Sequence, residues 1–135
     1  MVAARRAWKI YQELYAYVCQ PGRAFQDVQY LAFYAGGNIM PLVPRIIEVI
    51  DEVIFERGRQ TGPLGTIVER FLDLRARDEG AMHKVFVLSP PDDPHTVRLN
   101  APVLNDLAYA FTQGQRYVEL RSLAKAQRTS DLLKN

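Results

Sequence analysis

The chain has 135 residues, 48% of them hydrophobic and 24% charged, which is the size and composition of one globular domain, residues 1–135, rather than two packed ones. Seventeen Lys and Arg against fifteen Asp and Glu leave a formal charge of +2. That balance excludes a protein held to nucleic acid mainly by phosphate neutralisation and confines any such contact to a local patch.

Ala3, Ala7, Ile10, Tyr11, Leu14 and Tyr15 recur at intervals of three and four, which predicts an amphipathic helix over residues 2–15. Arg5, Arg6 and Lys9 interrupt this start, so a signal peptide is not expected. Residues 15–19 are β-branched and aromatic enough for a strand, and Gln20-Pro21-Gly22 supplies the turn after it. A second strand is expected over residues 30–34, bounded by Gly36-Gly37-Asn38, with a third opening at Ile39 as its antiparallel hairpin partner. Residues 46–55 fit helical spacing, yet six of these ten are β-branched, and strand is the reading adopted. Pro41, Pro44 and four charged residues break up residues 39–55, so no membrane-spanning helix is available there.

The glycines and proline of residues 58–65 predict a loop, followed by a helix over residues 64–79 carried by Leu64, Ile67, Val68, Phe71 and Leu72. Residues 84–89 read as a buried strand ended by Pro90 and Pro91, and residues 96–99 as another strand. A helix is expected over residues 103–111, entered at Pro102, with a break at Gln113-Gly114-Gln115. A final helix over residues 118–127, with Leu120, Leu123 and Ala124 inward, and a packed turn at residues 130–133 close the chain.

The common chemical signatures are missing. Cys19, His83 and His95 lie in three distant segments, unlike the close ligand spacing of a zinc site, and neither a P-loop nor a dinucleotide fingerprint is present. No metal and no cofactor is expected. Glu48, Asp51 and Glu52 read as a solvated acidic stripe rather than an acid and base pair, and His95 as a loop residue without a nearby nucleophile. Cys19 reads as a small buried strand residue, and a lone thiol fits a reducing, cytoplasmic setting.

The densest features lie in residues 15–45. Adjacent strands there would set Gln20 and Arg23 beside the rings of Tyr30 and Tyr34, an arrangement able to clamp a planar ligand by stacking while an amide or guanidinium reads its edge. Strand alternation puts Tyr30, Ala32 and Tyr34 on one face and Leu31 and Phe33 on the other, so at least one set packs inward, and a ribbon that is wholly core is the competing reading.

Tyr30-Leu31-Ala32-Phe33-Tyr34, the apolar strand through Val43-Pro44-Arg45, Lys84-Val85-Phe86-Val87-Leu88 and the later Arg116-Tyr117 resemble the PUA-like superfamily, the small β-barrels that include ASCH and EVE domains. The resemblance covers about half the chain as pattern. It implies an α+β fold, a small mixed or antiparallel β-barrel decorated by three or four helices, with Arg23, Tyr30 and Tyr34 in a groove for RNA or a modified base. The near-neutral charge and the long helix predicted over residues 64–79 depart from that pattern.

Three functions remain open at this point. The first is a noncatalytic module binding RNA or DNA through Gln20, Arg23, Tyr30 and Tyr34, and the second an interaction or accessory domain contacting a protein partner or a second copy. The third is a nuclease-like enzyme using His83, His95, Asp92 or Glu48, which would require those groups to converge in one cleft.

Overall fold

The computed structural model describes residues 2–3, 5–22, 28–75, 77–107 and 117–133. Among these residues nine short strands and three helices follow in the order β1 (Val2–Ala3), α1 (Arg5–Leu14), β2 (Ala16–Cys19), β3 (Phe33–Ala35), β4 (Asn38–Ile39), β5 (Leu42–Val43), β6 (Ile46–Ile54), α2 (Gly62–Asp73), β7 (Met82–Leu88), β8 (Val97–Arg98), β9 (Val103–Leu104) and α3 (Leu120–Lys125), with a 3-10 turn at Thr129–Leu133. The fold is α+β. Its sheets are small and mainly antiparallel, in the orders β1-β3-β4-β9, β2-β7-β6 and β5-β8, and among the described residues no closed barrel is formed.

The sheet β2-β7-β6 is hydrophobic on both faces because each face meets a different core. Ala16, Val18 and Val85 pack on Ile67, Val68 and Phe71 of α2, while Tyr17, Cys19, Phe86 and Leu88 point the other way onto Tyr11, Leu31 and Phe33. This explains why all four residues of β2 are buried. Phe33 is the hub of the second core, with ring centroids 5.2 Å from Tyr11, 5.7 Å from Trp8 and 6.4 Å from Tyr17. A third core gathers Ala32, Tyr34, Ile39, Val43, Val103 and Leu123.

Residues 29–46 weld the sheets together. The Leu31 amide donates to the Pro44 carbonyl at 3.0 Å, the Ile46 amide to Gln29 at 2.7 Å, and the Ser89 amide to Arg45 at 2.9 Å, so the start of β6 lies between β7 and the aromatic ribbon. A buried hydroxyl network secures the same corner: Tyr11 donates to the Ser89 carbonyl at 2.7 Å, and Ser89 Oγ lies 2.6 Å from Thr96 Oγ1. Burial pushes the Tyr11 phenol up to about 12.

Four sequence expectations are corrected, the first being that residues 2–3 pair with Phe33 and Tyr34 as a strand instead of opening the first helix. The second helix begins at Gly62, inside the stretch read as a loop: Pro63 occupies its first turn, where a missing N–H costs nothing, and the helix stops at Asp73 rather than at 79. Val103 and Leu104 are a strand, not the start of a helix, because they pair with Ile39 and Asn38; residues 108–116, including the predicted break at 113–115, lie outside the described residues. Ala124 faces solvent on a shorter final helix. Residues 46–54 are a strand as read.

Candidate functional site

The ribbon obeys its alternation. Tyr30, Ala32 and Tyr34 face the third core, and Leu31 and Phe33 face the second. Tyr34 is only 9% exposed, packed with Ile39 and Val43, and so is a core residue rather than part of an open groove. Tyr30 is half-buried and lines a cavity of about 220 Å³. Its walls are Gln29, Tyr30 and Val43 on one side and Tyr117, Leu120 and Leu123 on the other.

The cavity exists because two chain-distant segments meet there. Tyr30 bridges to Arg45, which fixes the ribbon against the start of β6, and α3 lays Leu123 into the third core. The C-terminal turn then holds α3 in place. Thr129 is fully buried, and its hydroxyl donates to Asn105 Oδ1 at 2.6 Å. The Ser130 amide and hydroxyl donate to Asp106 at 3.0 and 2.6 Å, and these bonds hold the Asp106 carboxyl below the usual carboxylate range. The site is therefore lined by two tyrosines, a glutamine and aliphatic residues.

Gln20 does not share it. Cys19 pairs with Lys84 at one end of β7, whereas Tyr30 bridges to Arg45, whose carbonyl bonds Ser89 beyond the other end. Gln20 is exposed beside the turn at Gly22, where φ is +76°, and is not among the residues lining the Tyr30 cavity. The strand before the corner and the ribbon share a core, where Tyr17 and Cys19 pack with Leu31 and Phe33, but Gln20 itself faces solvent. Arg23 lies outside the described residues. Tyr117 escapes a sequence reading as a site residue because only tertiary packing brings it to Tyr30, whereas Gln29 directly precedes Tyr30 in the chain.

No protein-family model, curated protein or solved structure matches the chain.

The groups considered for catalysis are spread apart. His83 packs edge-on against Phe55 at the Met82 end of β7, with ring centroids 4.9 Å apart, while Glu48 pairs opposite Val87 near the other end. His95 closes onto Asp93 in a local turn, with its amide 2.8 Å and its Nδ1 2.9 Å from Asp93 Oδ1; these contacts hold the Asp93 carboxyl below its usual range. Glu48, Asp51 and Glu52 are exposed, and Asp51 meets Lys84 Nζ at 3.1 Å. Among the described residues no three His, Cys, Asp or Glu side chains gather as a metal site, and no helix is long and apolar enough to cross a membrane.

Proposed function

We propose that this protein is a noncatalytic binding module that takes one planar ring, an unpaired or flipped base of RNA or DNA, into the cavity between Tyr30 and Tyr117. The observation that carries the reading is the set of residues lining that cavity: Tyr30 and Tyr117, Gln29, and the aliphatic Val43, Leu120 and Leu123. Aromatic walls bind any base by its face, and an amide hydrogen-bonds a base edge. Size supports a single ring, since about 220 Å³ falls below the roughly 300–1,000 Å³ of pockets that enclose drug-sized ligands. The modest net charge fits a contact that is local rather than a long phosphate track.

The PUA-like resemblance supports the same reading through the Tyr30 to Tyr34 ribbon and Tyr117. We read the three sheets as segments of one strongly bent, open barrel, which the main-chain bonds joining residues 29–31, 44–46 and 89 support. A buried Cys19 thiol outside any disulfide fits the cytoplasm.

A second reading, an interaction domain, is favoured by one observation. Tyr15 and Ile47, 40% and 61% exposed, border an apolar concavity of about 400 Å³ with Pro63, Leu88 and Pro90.

Fluorescence anisotropy with single-stranded, duplex and base-modified oligonucleotides over a salt series tests the first reading. Tyr30→Ala is expected to weaken single-strand binding by about 1–3 kcal/mol, the usual loss of one stacking partner. Arg23→Ala is expected to flatten the salt dependence if that side chain meets a phosphate. Affinity indifferent to Tyr30→Ala and to salt overturns the reading and puts the interaction domain first.

A further inference from the structure

A second cavity, of about 150 Å³, lies on the other side of β2, between that strand, α1 and the chain just beyond α2. Arg6 and Arg77 both line it, over Ala7, Ile10, Ala16 and Phe71. Each guanidinium is tied to a main-chain carbonyl: an Arg6 N–H donates to Leu74 O at 3.0 Å and an Arg77 N–H to Val18 O at 2.9 Å. Arg77 also lies over the Phe71 ring, 6.0 Å from its centroid. Both cations thus line one small space, each with its own anchor, and the Arg6 charge is felt at Arg77. Each guanidinium carries five N–H donors, so an anchoring bond to a carbonyl is compatible with holding an anion.

Two further observations point the same way. Burial, with the Arg6 charge adding to it and Tyr17 opposing, lowers the Arg77 pKa, as expected for cations crowded in a partly dry space. The wall supplied by α1 is its N-terminal half, whose first turn holds no acidic residue to complement the helix dipole.

We propose that this cleft binds a phosphate monoester, its dianionic head between Arg6 and Arg77 and its organic part against the apolar wall of Ala7, Ile10 and Phe71. Charge selects the class. A monoester carries about −1.5 to −2 at neutral pH and presents oxygens in a geometry that guanidinium forks match, whereas a carboxylate brings one charge to two cations. The same head occurs on a small organic phosphate and on the 5′ end of a nucleic-acid strand. The proposal does not depend on the Tyr30 cavity.

Isothermal titration of the full chain at constant ionic strength, with inorganic phosphate, phenyl phosphate and benzoate as probes, tests it. Expected is one site per chain for phosphate and phenyl phosphate, with phenyl phosphate the tighter and benzoate much the weaker. Arg6→Gln is expected to weaken phenyl phosphate about tenfold or more, Arg6→Lys less, and Arg121→Gln, on the exposed face of α3, not at all. Circular dichroism of each variant checks that the fold is retained. Competition by a 5′-phosphorylated oligonucleotide but not by its 5′-hydroxyl twin identifies the strand end as the source, and equal failure of both identifies a small monoester. No phosphate binding at millimolar concentration, undiminished binding in Arg6→Gln, equal loss in Arg121→Gln, or benzoate as tight as phenyl phosphate overturns it.

Discussion

His83 is held in the fold without a well-formed hydrogen bond at either buried ring nitrogen, edge-on to Phe55. Burial lowers its pKa, the Arg77 charge adds to that, and the Cys19 main chain and Asp78 pull weakly the other way. The fold therefore prefers neutral imidazole, while the unfolded chain takes up a proton near pH 6.5. The sign follows: stability is unaffected by this group above about pH 6.5 and falls as the pH drops from there toward the lowered folded pKa. His83→Phe keeps the ring contact and removes both the orphaned nitrogens and the titration. Denaturant midpoints should show the variant at least as stable as the parent at pH 7.5, by up to about 1–3 kcal/mol, with the gap widening at pH 5.5. Parallel stability curves for the two proteins would contradict the account. The sequence places His83 just before the strand read at residues 84–89 and offers it only as a metal or catalytic candidate, because its burial against Phe55 depends on tertiary packing.

At the scale of elements, α2 turns on a close approach that reverses a usual rule. Gly65 is buried, and a Cβ placed on it would lie 2.5 Å from the Gln60 carbonyl oxygen, a main-chain atom that cannot rotate away. Gly to Ala inside a helix ordinarily stabilises by about 1 kcal/mol. Here Gly65→Ala should instead destabilise by about 1–3 kcal/mol, the typical cost of forced overpacking, read as a lowered thermal midpoint. An unchanged or raised midpoint would show that the loop at Gln60 yields freely.

The elements legible in sequence were those with enough residues to show a period. The helix through Ile67, Val68, Phe71 and Leu72 and the two-faced ribbon at Leu31 to Tyr34 are examples. Two-residue strands such as Val2–Ala3 and Val103–Leu104 have no period, and only their partners Phe33, Tyr34, Asn38 and Ile39 make them strands. The candidate site divided in the same way. That Tyr30 shares a face with Ala32 and Tyr34, opposite Leu31 and Phe33, is readable from alternation, whereas its meeting with Tyr117 and Leu123 depends on tertiary packing.

Across the whole molecule, the cavity at Tyr30 depends on the C-terminal segment being latched. Leu120 and Leu123 form part of its lining, and the segment after them is tied down by Thr129 and Ser130 on Asn105 and Asp106. Thr129→Val keeps the volume but leaves Asn105 Oδ1 without its 2.6 Å donor. It should cost about 1–3 kcal/mol of stability and weaken oligonucleotide binding although Thr129 touches no ligand. Loss of stability with full affinity would uncouple the latch from the cavity.

The most direct test of the central claim is to map amide chemical shifts by NMR as an oligonucleotide with one unpaired base is added. The account predicts shifts concentrated at Tyr30, Ala32, Val43, Tyr117 and Leu123, with Gln20 and Gly22 unmoved. Shifts centred on Gln20 to Gly22 or on Ile47 and Val49, or none at saturating ligand, would contradict it.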